Sequence, residues 1–380
     1  MKITIIAPVF PFRGGIAQST EILYRKLKAR GHDVLIINFQ RQYPNVFFPG
    51  KSQFVADAEA VSDVQSERVV DSINPFSWYK AFRRIAGFQP QLLIFRYWMP
   101  FFAPMIGSIG WLVKRKLACK ILMICDNIIP HERRFGDLAL TRFALKNIDC
   151  FIPLSEFVKT DLLKLAPRAE YRVVPHPLYE SFGQPFAKED ARRLIGLKAT
   201  RVILFFGYVR AYKGLDIVIR ALPAILKQQP VSLLIVGEFY EAEEKYRKMI
   251  EALGVKEKVK IHAEFVKDAD VKQYFSAADV VVLPYKSATQ SGIVQLAYHL
   301  DKPCIVTDVG GLSEVVIDGK TGYVVPPDDP IAIADAVNRF YRENKESEFT
   351  SNVKEAKKRY SWERMVDVIE NFAGQKEGDR

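Results

Sequence analysis

Apolar runs of strand length alternate with segments of helical period along almost the whole chain. Ile3–Pro8 reads as a first strand. Gly14-Gly15 follows, then a helix from about Ile16 to Gly31 with Leu23, Leu27 and Ala29 turned inward. Asp33–Asn38, Leu92–Phe95, Lys120–Cys125 and Cys150–Pro153 read as further strands. The second half repeats the rhythm, with strands at Val202–Phe206, Ser232–Val236, Val259–His262, Val280–Leu283 and Cys304–Thr307. Between and after them the period predicts helices over Gly214–Leu226, Glu241–Leu253, Asp270–Ser276, Gly292–Leu300 and Asp329–Glu343. Continuous apolar strands separated by helices argue for parallel sheets covered on both faces. Two such series make an α/β protein of two doubly wound domains. The stretch from about Pro175 to Leu197, with Pro175, Pro177, Gly183 and Pro185, reads as the linker, which sets the domains at 1–180 and 198–360. A last helix over 361–375 is expected to pack back on the first domain.

Length agrees: 380 residues are too many for one ordinary core and suit about two domains. A hydrophobic content of 49% argues against disorder. The apolar stretches break well before the roughly 18 residues of a spanning helix. Residues 1–10 read as a strand and not as a secretory signal, which would be longer and carry a small-residue cleavage site. Cys119, Cys125, Cys150 and Cys304 lie far apart with no Cys-x-x-Cys pair. A disulfide framework and a zinc knuckle are both unsupported, and a reducing cytoplasm is the expectation.

Charge changes the picture more. The formal charge is +11, and residues 1–180 hold 25 Lys/Arg against 15 Asp/Glu. A basic first half invites an anionic partner, whether lipid, phosphorylated substrate or nucleic acid, unless it serves only solubility. Nucleic acid is set aside, because no helix-turn-helix, zinc finger or RNP-type aromatic run is present. From Trp98 to Lys120 the chain mixes Phe101, Phe102, Met105, Ile106, Ile109, Trp111 and Leu112 and ends on Lys114-Arg115-Lys116. This stretch either lies in a membrane interface or is a buried helix with an exposed basic end.

Ligands of open parallel sheets sit beyond the carboxyl ends of the strands, so the loops there carry the candidate chemistry. Gly14-Gly15 opens the first helix, where free amides suit an anion; a plain tight turn is the alternative. It is neither Gly-x-Gly-x-x-Gly nor a P-loop. After Val202–Phe206 come Gly207, Arg210, Lys213 and Gly214. Arg210 offers a forked contact and Lys213 a point charge to one diphosphate. After Val280–Leu283 comes a small polar loop, and the amides from Thr289 through Gln290, Ser291 and Gly292 to Ile293 would form a second anion cradle at a helix start. Gln295, one turn in, can hydrogen-bond a diol. Then Cys304–Thr307 enters Gly310-Gly311, with Glu314 four positions past Gly310, and a return strand leads through Pro326-Pro327 to a helix opened by Pro330.

These blocks, in this order and spacing, resemble the retaining glycosyltransferases of the GT-B fold, family 4, also called glycosyl transferases group 1. The resemblance runs from Gly14-Gly15 to Tyr360-Ser361-Trp362. Gly207 to Gly214 is similar to the family's Gly-Arg-x-x-x-x-Lys-Gly segment, and Pro303 to Pro330 to its Gly-Gly, Glu, Asp-Gly and Val-Pro-Pro-x-Asp-Pro run. The resemblance implies two Rossmann-like domains facing across a cleft that closes, with a nucleoside-diphosphate sugar on the second and the acceptor on the first, and neither metal ion nor cofactor required. By it Lys213 matches the diphosphate lysine and Gly15 the glycine whose backbone approaches the diphosphate. Tyr208 stands where the family has arginine, and Arg210 can supply that charge. The family's Glu-x7-Glu pair is replaced by Ser287 and Gln295; Gln295 can still grip ribose hydroxyls, whereas Ser287 cannot stand in for a carboxylate holding the sugar. The Ser-Ala-Thr-Gln-Ser-Gly loop is read as a variant donor site.

In the first domain Asp126 occupies the place where the family often carries a histidine near the reacting sugar. A carboxylate there can polarise an acceptor hydroxyl or stabilise positive charge on the sugar, or it is structural. Asn127, His131, Glu132 and Arg133 follow as acceptor-side candidates, the arginine for an acceptor phosphate. The block Arg41 to Gly50 reads as an acceptor-side loop. The expectation is metal-independent glycosyl transfer with retention from a UDP- or GDP-sugar, with Asp126, Arg210 and Lys213 as catalytic groups. The acceptor would be a lipid-linked or phosphorylated glycan in cell-surface polysaccharide or glycolipid synthesis, with peripheral contact to an anionic membrane at its inner face. The alternatives are a nucleotide-sugar-binding protein without transfer, and a sugar-nucleotide hydrolase or epimerase. A dinucleotide-dependent oxidoreductase lacks its glycine fingerprint.

Overall fold

The structure, a computed structural model, describes residues 1–44, 52–55, 62–130 and 134–374. The chain divides into two compact units, Met1–Pro177 with Ser361–Arg380, and Leu178–Tyr360.

In the first unit β1 (Lys2–Ile6), β2 (Asp33–Arg41), β3 (Ser66–Asp71), β4 (Leu92–Tyr97), β5 (Lys120–Cys125), β6 (Cys150–Pro153) and β7 (Glu170–Tyr171) form one sheet in the order β3-β2-β1-β4-β5-β6-β7. Every pairing is parallel. Both faces are covered, which is why the strands read as unbroken apolar runs. Along β4 the side chains alternate: Leu93 and Phe95 join one core and Leu92 and Ile94 the other. The first core is closed by α2 (Pro75–Phe88), α3 (Ala103–Lys116), α4 (Asp137–Leu145) and α5 (Glu156–Leu165). The second is closed by α1 (Gly15–Ala29) and α14 (Trp362–Gly374). Trp362, Met365, Val366, Ile369 and Phe372 bury on Ile22, Leu23 and Leu27. Lys26–Glu363 at 2.8 Å and Arg30–Asp367 at 2.7 Å frame that contact.

In the second unit β8 (Arg201–Phe206), β9 (Val231–Val236), β10 (Val259–His262), β11 (Val280–Leu283), β12 (Cys304–Thr307) and β13 (Gly322–Val325) form a parallel sheet in the order β10-β9-β8-β11-β12-β13. The helices are α6 (Lys188–Leu194), α7 (Leu215–Leu226), α8 (Glu243–Ala252), α9 (Asp268–Ala277), α10 (Gly292–His299), α11 (Leu312–Val315), α12 (Pro330–Arg342) and α13 (Glu346–Ala356). In both sheets the order reverses once, between β1 and β4 and between β8 and β11, and ligands of such sheets bind at that crevice.

Several elements escape a pattern reading. In β3 only Val69 and Val70 are buried, so no apolar run marks it. In α13 only Phe349 and Val353 are buried. The stretch read as a linker contains α6, which packs on α9 and sends Arg192 to Asp279 at 2.8 Å. Within α3 and the turn before it the side chains divide between core and surface. Phe102, Met105, Ile106 and Ile109 lie in the core, so they do not face a membrane, and Trp111 is exposed. Among the described residues no helix is long and apolar enough to cross a membrane.

Candidate functional site

Three loops are locked together at the carboxyl end of the second sheet. Gly214, after the β8 exit, takes a left-handed φ of 66°, and a Cβ there would lie 1.9 Å from the Pro284 carbonyl oxygen. Only glycine lets the β8 and β11 exits approach so closely. The Lys286 amide donates to the Tyr212 carbonyl at 2.7 Å across the same junction. Gly310, after β12, has φ 53°, and its Cβ would lie 1.7 Å from the Ala288 carbonyl oxygen. The Gly311 amide donates to the Thr289 carbonyl at 2.9 Å.

This clamp places the cations. Lys213 is buried, its Nζ 5.6 Å from the centre of the Tyr285 ring. A Cβ on Gly207 would sit 3.0 Å from that Nζ, so the ammonium lies against the bare backbone of the glycine. Among the described residues its ammonium makes no hydrogen bond or ion pair. Burial, with the Arg210 charge adding to it, holds Lys213 down to about 8. Arg210 is exposed and stacks 4.9 Å from the Tyr240 ring centre. Tyr208 stands 4.7 Å from Tyr240 and 6.4 Å from Phe265, ring to ring. Lys286, by contrast, is neutralised by Asp216 at 3.1 Å.

Helix α10 starts beside this group. The Ser291 hydroxyl caps it by accepting from the Ile293 amide at 3.2 Å. Tyr285 reaches the same hydroxyl at 3.4 Å. Thr289 is buried, and Gln290 and Gly292 are half-buried. Gln295 is 2% exposed, and its Oε1 has no hydrogen-bond partner. A buried amide oxygen left bare costs free energy, and a ligand hydroxyl would satisfy it. Gly207, Lys213 and the start of α10 thus come together, with Ile293 against Gly207, and Arg210 is near enough to act on the Lys213 charge; Gln295 lies one turn into the same helix. The arrangement offers two cations, a helix start and a bare acceptor to a polyanion carrying hydroxyls. Ser287 is half-buried in the same loop.

In the first unit Gly15 is the exposed first residue of α1. Asp126, at the β5 exit, is 7% exposed and forms a bidentate ion pair with Arg96 of β4, with Nε to Oδ2 at 2.9 Å. Arg96 also donates to the Ser19 hydroxyl at 2.8 Å. His176 is buried nearby and held down to about 4, by burial first and by the Arg96 charge second. The half-buried Asn127 has an Oδ1 without a partner. His131, Glu132 and Arg133 lie outside the described residues, as do 45–50 of the Arg41 to Gly50 block. Among the described residues no three His, Cys, Asp or Glu side chains cluster as a metal site.

Sequence reasoning missed Arg96 and the tyrosines around the cations. Arg96 had a signal, since an arginine inside the apolar strand Leu92–Tyr97 must find a buried carboxylate. Tyr285 and Tyr240 had none, because neither ring is near Lys213 or Arg210 in sequence.

Residues 200–343 match the family model described as "Glycosyl transferases group 1" and residues 14–177 the model "Glycosyl transferase 4-like domain". Spore coat protein SA of Bacillus subtilis is 28% identical over 205 residues, 51% of this chain and 54% of that protein. The match thus spans about half the length of that relative. A D-inositol 3-phosphate glycosyltransferase of Corynebacterium urealyticum is 27% identical over 322 residues, covering 76% of this chain and 72% of the relative. Among solved structures, the sucrose-phosphate synthase of Thermosynechococcus elongatus superposes with a TM-score of 0.76 at 21% identity, over 99% of this chain and 100% of that one. The Anabaena protein HepE, crystallised with UDP-glucose, also gives 0.76, at 17% identity over 99% and 100%.

Proposed function

The chain belongs to the group 1 glycosyltransferases of family 4 and has their GT-B fold, and from that premise we propose that it transfers a sugar from a UDP- or GDP-sugar to an acceptor hydroxyl with retention at the anomeric carbon. The observation that carries the reading is the buried ammonium of Lys213, without a carboxylate among the described residues, beside Arg210 and the start of α10. A buried cation without a counter-charge costs stability unless an anion comes to it. A diphosphate answers both charges, and the ribose diol answers Gln295.

In the reaction the bond from the anomeric carbon to the diphosphate oxygen breaks, and its electron pair leaves on the diphosphate. A new C–O bond forms to the acceptor oxygen on the same face, and the acceptor proton passes to the departing diphosphate. Lys213, Arg210 and the amides at the start of α10 stabilise the charge that develops. The Ser287 and Gln295 positions make this a variant donor site, so the transferred sugar is held without a carboxylate at the Ser287 position. Asp126, oriented by Arg96, and Asn127 are assigned to the sugar and acceptor side, with the 131–133 segment and Gly15 assigned there by resemblance. The relative named for D-inositol 3-phosphate supports a phosphorylated acceptor. A lipid-linked glycan in surface polysaccharide or glycolipid synthesis suits the basic first unit, with the chain at the surface of an anionic membrane.

The test is a thermal-shift panel of nucleotides and nucleotide sugars, followed by product analysis with the donor that shifts most. A ligand at about 100 times its Kd adds roughly 2.7 kcal/mol. A shift with one base's diphosphate and one of its sugars supports the donor site. Binding without turnover on any glycan acceptor would leave a nucleotide-sugar-binding protein, and no shift at all would overturn the reading.

A further inference from the structure

The helices that cover the two faces of the first sheet differ sharply in charge. On one face α2, α3 and α4 pack side by side. Their sequences carry seven Lys and Arg (Lys80, Arg83 and Arg84 on α2; Lys114, Arg115 and Lys116 on α3; Arg142 on α4) against a single acid, Asp137. On the other face α1 and α14 carry four of each sign. The basic excess of the first half is therefore a property of one face and not of the whole unit.

Two of those seven are neutralised, Arg84 by Glu67 at 2.6 Å and Lys114 by Asp149 at 2.5 Å. Lys80, Arg83, Arg115, Lys116 and Arg142 are exposed, as is Lys146 just after α4, and among the described residues no carboxylate pairs with any of them. Arg115 stacks on the Trp111 ring at 4.5 Å.

Large apolar side chains stand out from the same layer. Phe76 at the start of α2 is 87% exposed, and Phe135 just before α4 is 108% exposed. Trp111 and Phe143 are 44% and 43% exposed. Phe143 lies on Gly107 of α3, one turn before Trp111. Phe76 and Phe135 both lead their helices, so both stand at the carboxyl edge of the sheet, the edge that also presents Asp126 and Asn127. Phe76 and Phe135 bury almost none of their apolar surface within the fold.

We propose that the α2–α3–α4 face is a docking surface for an anionic phospholipid bilayer, with Phe76 and Phe135 inserted at the headgroup boundary and the unpaired cations on the lipid phosphates. The partner follows from charge and shape together. Aromatic wedges on a cationic plane are the pattern of a protein lying on a membrane, and cations near an anionic leaflet each strengthen binding. The inference rests on the membrane side of the reading above and not on the transfer chemistry.

The test is co-sedimentation of the full chain with vesicles of phosphatidylcholine alone and with about one third phosphatidylglycerol. The wild type is expected to bind the anionic vesicles, to ignore the neutral ones, and to be released by roughly 1 M salt, which shortens the screening length to about 3 Å. Replacing Arg115 and Lys116 by Gln together should weaken binding roughly 25-fold, about fivefold per cation. The Phe76→Ser, Phe135→Ser double variant removes exposed side chains only, so it should keep the wild-type melting temperature and nucleotide shift while losing vesicle binding. Lys213→Ala should bind vesicles like the wild type, which separates this surface from the donor site. Absence of binding to anionic vesicles, equal binding to neutral ones, or wild-type binding by the phenylalanine variant would each overturn the proposal.

Discussion

Arg96 and Asp126 face each other across the β4–β5 pair and close a two-pronged ion pair at the end of the sheet where ligands bind, with 3% and 7% of their surfaces exposed. The carboxylate proposed to act on the sugar is thus also half of a buried structural pair. Removing one partner strands a buried charge, so Asp126→Asn or Arg96→Met should each cost about 3–5 kcal/mol of stability. The paired change to Arg96→Met with Asp126→Leu should recover most of that loss. Chemical denaturation reads the stability and a turnover assay the function. If the stable double variant keeps wild-type turnover, Asp126 is structural only.

Arg210→Ala and Lys213→Ala should each cost roughly 2–4 kcal/mol of transition-state stabilisation. Lys213→Ala should leave the ligand-free protein at least as stable as the wild type, because it removes a buried and unpaired charge. Wild-type kcat/KM in both variants would sink the diphosphate assignment.

The depressed value of Lys213 gives a pH dependence. Its ammonium loses the proton as pH rises through about 8 in the free protein. Donor capture and kcat/KM should therefore fall above about pH 8, and Lys213→Arg should flatten that limb. Stability of the ligand-free chain runs the other way. Between about 8 and the ordinary lysine value near 10.4 the unfolded state holds the extra proton, so stability should rise with pH in that window.

His176 sets an acid limit. It is neutral in the fold down to about 4, while an unfolded chain protonates it near 6.5. Stability should fall as pH drops through that window, by about 3 kcal/mol at its foot. His176→Gln should remove this part of the acid sensitivity, measured as melting temperature against pH.

Gln295 offers a cleaner separation of fold from function. Because its Oε1 is buried and bare, Gln295→Leu should be neutral to the ligand-free protein or stabilise it by about 1 kcal/mol. The same change should weaken nucleotide binding by roughly tenfold or more, since a bound ribose would lose its partner. A loss of stability without any change in nucleotide shift would remove Gln295 from the donor site.

Strand after strand was legible in the chain, because a strand buried on both faces needs an unbroken apolar run. Cys150–Pro153, Val259–His262, Val280–Leu283 and Cys304–Thr307 coincide with the observed strands. The parallel, doubly wound class followed from the helices between them, and the cations of the β8 exit were visible because Arg210 and Lys213 share one short loop. The edge strand β3 and the polar helix α13 were not visible, because each buries only a pair of side chains and leaves no period to read.

What tertiary structure alone decided is which charges are spent and which are free. Arg96 cancels Asp126 from 30 residues away, and Asp216 cancels Lys286 from 70, while Lys213 is left with a tyrosine ring. The seven cations of α2, α3 and α4 are scattered along the chain and meet only because these three helices pack side by side on one face of a parallel sheet. A sequence states how many charges exist and how far apart they lie along the backbone. Their energies depend on distance and burial, and those are set only when the sheets close.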